Sequence, residues 1–134
     1  MLFDSDVLLD ILAQRQPFIV ASARALNTVM QNQVQGYVSG HAVTNIFYIL
    51  RRQVGNEVAR ELLAKLQQLQ VASVTDEVTR QALNSPITDF EDAVTSAAAL
   101  TAGLEIIVTR NTPEFVASLV PAMLPDEFLT RLSE

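Results

Sequence analysis

Five short apolar runs, each followed by a stretch of helical period, leave this chain few ways to fold. "MLF" at the start, "GYV" at residues 36–38, "QVASV" at 70–74, "EIIVT" at 105–109 and "AML" near the end read as strands. The segments between them read as helices: "DVLLDILAQ", "PFIVASARALNTVMQNQ", "HAVTNIFYILRRQV", "NEVARELLAKLQQL", "DEVTRQALN" and "DFEDAVTSAAALTAG", with "PDEFLTRLS" closing the chain. Strands that alternate with helices imply an α/β layered domain around a mainly parallel sheet, joined by right-handed crossovers. In such a fold the ligand crevice lies beyond the carboxyl ends of the strands, where strand order reverses. Attention therefore falls on the residues just after each strand.

Helix boundaries are marked by residues with a local physical reason. Ser5, Ser39 and Thr75 are expected N-caps, because their hydroxyls can accept from the free N–H groups of a first turn. Pro17 suits a first helical position, and Thr112 with Pro113 predicts a further short helical turn. Gly55, Pro86 and Gly103 mark helix ends. No repeat, low-complexity tract or long linker divides the 134 residues, which predicts one domain, 1–134.

The chain has no cysteine, which excludes disulfides, thiolate metal sites and a thiol nucleophile. One histidine and no cysteine make a zinc site a poor fit. No apolar run reaches the roughly 20 residues of a membrane span, and the acids of "MLFDSDVLLDIL" are unlike a signal peptide. These features point to a cytoplasmic protein with no membrane role. The net charge of −6 argues against a basic nucleic-acid coat. It leaves room for an enzyme that meets phosphates through a metal ion, since carboxylates are then the ion's ligands.

The acids are unevenly placed: Asp4, Asp6 and Asp10 open the chain, and Asp89, Glu91 and Asp92 crowd "TDFEDAV". Folding explains some of them. Thr88 and Glu91 have capping-box spacing, and Asp89 would then sit at the first helical position, facing the positive helix end. Asp92 lies a turn inside the helix, where that stabilisation fades. It shares a face with Asp89, while Phe90, Ala93, Val94 and Ala97 are expected to face the core. Asp4 ends the first strand between apolar neighbours, a costly place for an unpaired carboxylate, although a turn or cap role beside Ser5 is the bland alternative. Asp6 suits a first helical turn, and Asp10 a solvated position or a pair with Arg15. Two carboxylates at the ends of neighbouring elements would suit Mg²⁺ or Mn²⁺, which take oxygen ligands and keep several waters.

Four segments, in order, carry a resemblance. "FDSDVLLD" resembles the opening motif of PIN domains, and "DFEDAVTSAAALTAGLEIIVTRNTPEF" resembles their late helix–strand block. "GYVSGHAVTNIFYILRR" is similar to the strand–helix segment between these, and "MLPDEFL" to the family's ending. The resemblance covers essentially the whole chain. It implies a three-layer α/β/α sandwich on a four- to five-stranded sheet. It also implies a Mg- or Mn-dependent endoribonuclease acting on single-stranded or structured RNA, of the kind found as the toxin of toxin–antitoxin pairs. Carried over residue by residue, Asp4 and Asp92 match catalytic metal ligands, and Asn111 and Glu114 fill the positions of a further one. Ser5, Asn45, Asp89, Thr109 and Arg110 fall where outer-shell or substrate contacts are expected. Asn45 stands where many relatives carry a Glu, so a domain that binds RNA or protein without cutting is the alternative. An antitoxin protein and a homodimer, formed through the apolar helices near 42–50 and 57–69, are the partners implied.

Other residues have plainer explanations. His41 suits a cap or surface position, and Arg51 and Arg52 complement the end of their helix. Phe47 and Tyr48 suit core or a dimer face better than base stacking. The only lysine, Lys65, lies within a helix, which disfavours a phospho-receiver domain. Phosphate-loop glycine motifs are absent.

Overall fold

The computed structural model describes residues 1–134. In chain order the elements are β1 (Leu2–Phe3), α1 (Ser5–Leu12), α2 (Ile19–Met30), β2 (Tyr37–Ser39), α3 (Gly40–Val54), α4 (Asn56–Ala64) and β3 (Gln70–Ala72). Then follow α5 (Asp76–Leu83), α6 (Phe90–Thr101), β4 (Ile107–Val108), a 3₁₀ turn (Thr112–Phe115), β5 (Ala122–Met123) and α7 (Pro125–Leu132). The five strands form one sheet in the order β3-β2-β1-β4-β5. Every neighbouring pair is parallel, with Leu2 opposite Tyr37 on one side and Ile107 on the other. Chain order runs outward from β1 to β2 and β3, then returns to the other side of β1 for β4 and β5. The reversal therefore lies between β1 and β4.

Side chains alternate across the strands and sort the core into two layers. Phe3, Val38 and Val108 pack with Val7, Leu8, Leu26, Ile46 and Leu50 under α1, α2 and α3, joined by Phe128 of α7. Leu2, Ala72 and Ile107 face the opposite way, onto Val78, Ala82, Ala93, Val94 and Ala98 of α5 and α6. The result is the expected α/β/α sandwich on a five-stranded parallel sheet. No helix is long and apolar enough to cross a membrane.

Several helix starts differ from the sequence reading, and at two of them an acid rather than a neighbouring hydroxyl takes the cap. Asp4, not Ser5, is the N-cap of α1 and accepts from the Ser5 N–H. Asp89, not Thr88, caps α6 and accepts from the Asp92 N–H at 3.0 Å, so the Thr88–Glu91 capping box does not form. Phe90 becomes the first helical residue and is exposed instead of entering the core. Ser39 precedes α3, but its hydroxyl meets His41 Nδ1 at 3.0 Å rather than capping. Thr75 caps α5 as expected. The helix after Pro17 begins only at Ile19. The turn near Pro113 is 3₁₀, with Asn111 before it. Gly55 and Gly103 do end their helices, at φ of 85° and 72°, a backbone region that disfavours side chains.

Gly36 marks the tightest point under the sheet. A methyl there would lie 2.6 Å from Val29 Cγ2, 2.7 Å from Leu69 Cδ2 and 3.2 Å from Phe3 Cε2. Val29, Leu69 and Phe3 all belong to the packed core, so making room there disturbs it. Gly36→Ala is expected to destabilise the protein by about 1–3 kcal/mol through overpacking. Chemical denaturation would show it as a lower midpoint with an unchanged slope.

Candidate active site

The reversal between β1 and β4 brings together residues that are about a hundred positions apart in the chain. β1 leads directly into Asp4, a residue only 7% exposed. One oxygen accepts from the Ser5 N–H at 2.9 Å, and the other from the Thr109 hydroxyl, at the end of β4, at 2.8 Å. The Asn111 N–H in turn donates to Thr109 Oγ1 at 3.0 Å. Asp6, in the first turn of α1, accepts from the Arg110 N–H at 3.1 Å and lies 3.4 Å from the Thr109 hydroxyl. That hydroxyl has one hydrogen, and the shorter contact to Asp4 uses it. Asp6 Oδ1 is buried with no hydrogen-bond partner.

The second wall is the start of α6. Asp89 is exposed and occupied in capping. Asp92 is half-buried, and no protein donor reaches its carboxylate. Glu91 is exposed and approaches Ser5 Oγ at 3.5 Å, which ties the first turn of α6 to that of α1. His41 bridges the end of β2 to α6, with Nδ1 on Ser39 and Nε2 3.5 Å from Thr95 Oγ1. Burial lowers its pKa and favours the neutral ring.

Negative charge is concentrated here and only partly offset by Arg110 beside Asp6. Burial and the neighbouring Asp6 push the Asp4 pKa from 3.8 to about 7, against the pull of its two hydrogen bonds, and Asp92 adds to the rise. Burial raises Asp92 to about 6, assisted by Asp89, Glu114, Glu91 and Asp6. Asp6 is also raised, chiefly by burial. Carboxylates crowded in this way resist ionising together unless a cation joins them.

Asn111 and Glu114, expected as ligands, are exposed at the mouth of this crevice. Glu114 is close enough to act on Asp92, whereas Asn111 contributes only its backbone N–H to Thr109. Asn45 is half-buried one turn beyond His41 on α3, and no hydrogen bond joins it to the acids. Arg110 lies at the strand end, but its guanidinium turns away from the crevice to Asp10. Asp10 is fully buried and pairs with Arg110 rather than Arg15, a correction to the solvated position expected for it. An acid between "VLL" and "IL" was itself a sign of a buried partner, but that partner lies 100 residues away.

No three His, Asp or Glu side chains close into a complete metal cage. The arrangement nonetheless suits a hard divalent cation, which binds through one or two carboxylates and keeps its waters. Asp4 retains unused lone pairs, Asp92 has no protein donor, and Asp6 Oδ1 has no partner. None of the larger cavities is lined by Asp4 or Asp92. The largest, about 630 Å³, opens near Met1, Tyr37, Ile106 and Phe128, at the opposite ends of the strands.

Solved structures with this fold include a toxin–antitoxin complex from Klebsiella pneumoniae, at 18% identity and TM-score 0.69 over 92% of this chain and 96% of that one. VapBC2 from Rickettsia felis, bound to a DNA fragment from its promoter, matches at 12% identity and TM-score 0.72, again over 92% and 96%. VapC20 of Mycobacterium tuberculosis, described as a Sarcin-Ricin loop cleaving toxin, matches at 16% identity and TM-score 0.64 over 79% and 85%. Among curated proteins nothing matches. The family profile described as "PIN domain" matches residues 1–113, so this chain, with its parallel sheet and its acids gathered at the strand ends, belongs to the PIN domain family.

Proposed function

We propose that this chain is a metal-dependent endoribonuclease, the toxin member of a toxin–antitoxin pair. The observation that carries the reading is the gathering of Asp4, Asp6 and Asp92 at the sheet's reversal point, with carboxyl pKa values raised by burial and mutual repulsion. Such a cluster disfavours the protein alone and favours it with a cation. Asp4 and Asp92 would hold Mg²⁺ or Mn²⁺, with Asn111 and Glu114 at the open side and Asp6 Oδ1 within the cluster. The ion supplies a lowered pKa for bound water and neutralises charge developing on a phosphodiester.

The chain's own residues provide orientation. The Ser5 N–H and Thr109 hydroxyl fix the Asp4 carboxylate, and the Asn111 N–H fixes Thr109. Asp89 holds the first turn of α6 and so sets the height of Asp92. With a net charge of −6, RNA would dock only with cations present, so binding should weaken sharply on chelation.

Relatives of this fold described as toxin–antitoxin complexes support an antitoxin as partner. Exposed Tyr48, Val54 and Val58 on α3 and α4 support a homodimer through those helices. A cytoplasmic location goes with the proposed RNA substrate. A second reading, a module that binds RNA without cutting it, is favoured by neutral Asn45 and by the open ligand set.

Purified protein incubated with single-stranded and hairpin RNA in Mn²⁺ distinguishes the two. Cleavage that is lost with chelator and lost in Asp92→Asn supports the nuclease. Binding without cleavage under every metal condition leaves the second reading.

A further inference from the structure

Asp10 and Arg110 stand outside the crevice, yet the site is built on them. Asp10 accepts from two nitrogens of the Arg110 guanidinium, Nε and Nη2, the latter at 3.0 Å, and Ser22 Oγ lies 3.4 Å from the same carboxylate. The guanidinium stacks on Phe18 with its carbon 3.9 Å from the ring centre. Asp10 is fully buried, and the Arg110 side chain is 28% exposed. Paired forks of this kind fix direction as well as distance.

Arg110 is also held at its other end. Its backbone N–H donates to Asp6, one helical turn before Asp10 on the same face of α1. Two carboxylates on one helix therefore grip one residue at its main chain and at its tip. That residue lies between Thr109, which holds Asp4, and Asn111, whose N–H holds Thr109. Buried ion pairs contribute little to stability compared with an apolar pair of similar size, so stability alone is a weak reason for this one.

We propose that the Asp10–Arg110 pair is a positioning clamp that fixes the end of β4 against α1 and thereby sets the geometry of Asp4 and Asp6 for metal binding. The inference rests on the metal-centre reading above. Both residues act through others and touch neither ion nor substrate.

The test is Mn²⁺ affinity, measured by equilibrium titration, alongside thermal melting. Asp10→Val combined with Arg110→Met removes one negative and one positive charge, so the net charge near the site is unchanged. The double variant is expected to remain folded, with a similar melting temperature. Its Mn²⁺ affinity should fall about 10- to 100-fold, the range seen when groups that orient metal ligands are lost. Arg110→Lys keeps the charge and gives up the fork. It should fold and bind Mn²⁺ with intermediate affinity.

A folded double variant with parental affinity overturns the clamp while leaving the metal centre standing. Should the double variant not fold, Arg110→Lys decides: weakened Mn²⁺ binding at parental stability supports the clamp, and parental binding overturns it. Failure of the parent protein itself to bind Mn²⁺ at millimolar concentration overturns both the clamp and the metal reading.

Discussion

Asp4→Asn is expected to lower metal-dependent RNA cleavage by about three orders of magnitude, since a ligand to a catalytic ion accounts for several kcal/mol of the barrier. The same change should make the metal-free protein melt at a higher temperature near pH 8. An amide can still cap α1 by accepting from the Ser5 N–H through its oxygen, and its NH2 can donate to Thr109 Oγ1, so both contacts of Asp4 have a substitute, the second with its direction reversed. What disappears is a buried negative charge beside Asp6. Because the folded-state pKa of Asp4 is raised from 3.8 to about 7, the folded protein holds this proton more tightly than the unfolded chain does. Its contribution to stability is complete below the unfolded value and is lost as pH rises through about 7. The difference between Asn and Asp should therefore vanish near pH 4 and grow toward pH 8. Thermal melts at both pH values, without metal, would check it. An Asn variant that cleaves within tenfold of the parent, or melts below it at pH 8, contradicts this account.

Cation affinity should be strongly pH-dependent in the opposite sense. Asp92 is raised to about 6 and Asp4 to about 7, and both must ionise to hold an ion. Each proton displaced lowers the apparent affinity by roughly tenfold per pH unit once the pH is below its pKa. Between about pH 7 and pH 5 the Mn²⁺ affinity should fall on the order of 100-fold or more. The melting-temperature rise caused by millimolar Mn²⁺ should shrink in parallel, because stabilisation follows ligand concentration relative to its dissociation constant. A titration that is flat across this range would mean that Asp4 and Asp92 are not the ligands. Metal also reverses the stability trend of the free protein, so loaded and unloaded samples should diverge as pH rises.

The alternation of apolar runs and helical segments was enough to predict the layers and the parallel sheet, because both follow from local periodicity. The chemistry at strand ends was legible for the same reason: Asp4 and Thr109 sit where such sheets gather ligands. Asp92 stood out because helix formation gave no account of an acid one turn in. Asp10 was misread because its partner, Arg110, is remote in sequence; Asp6 lies in the first helical turn as expected, but its bond to the Arg110 N–H was hidden for the same reason, since no local rule links the first helix to the fourth strand. The caps were displaced by one residue at Asp4 and Asp89. Serine, threonine and aspartate cap almost equally well, so tertiary contacts choose among neighbours. Asn45 is the position where sequence pattern says most and the structure least: it is half-buried and makes no bond to the acids.

The central strand pair joins residues 2–3 to residues 107–108. A ribosome therefore adds β4 long after β1, and the first ligand cannot meet its partners before then. Thr109 and Asn111, which orient Asp4, emerge only about 105 residues after it. Contacts of such long sequence separation form late, because their loop must close before they add stability. A nascent or truncated chain ending before β4 would carry the acids without their geometry. The nuclease proposed above would thus be inert until β4 has been made.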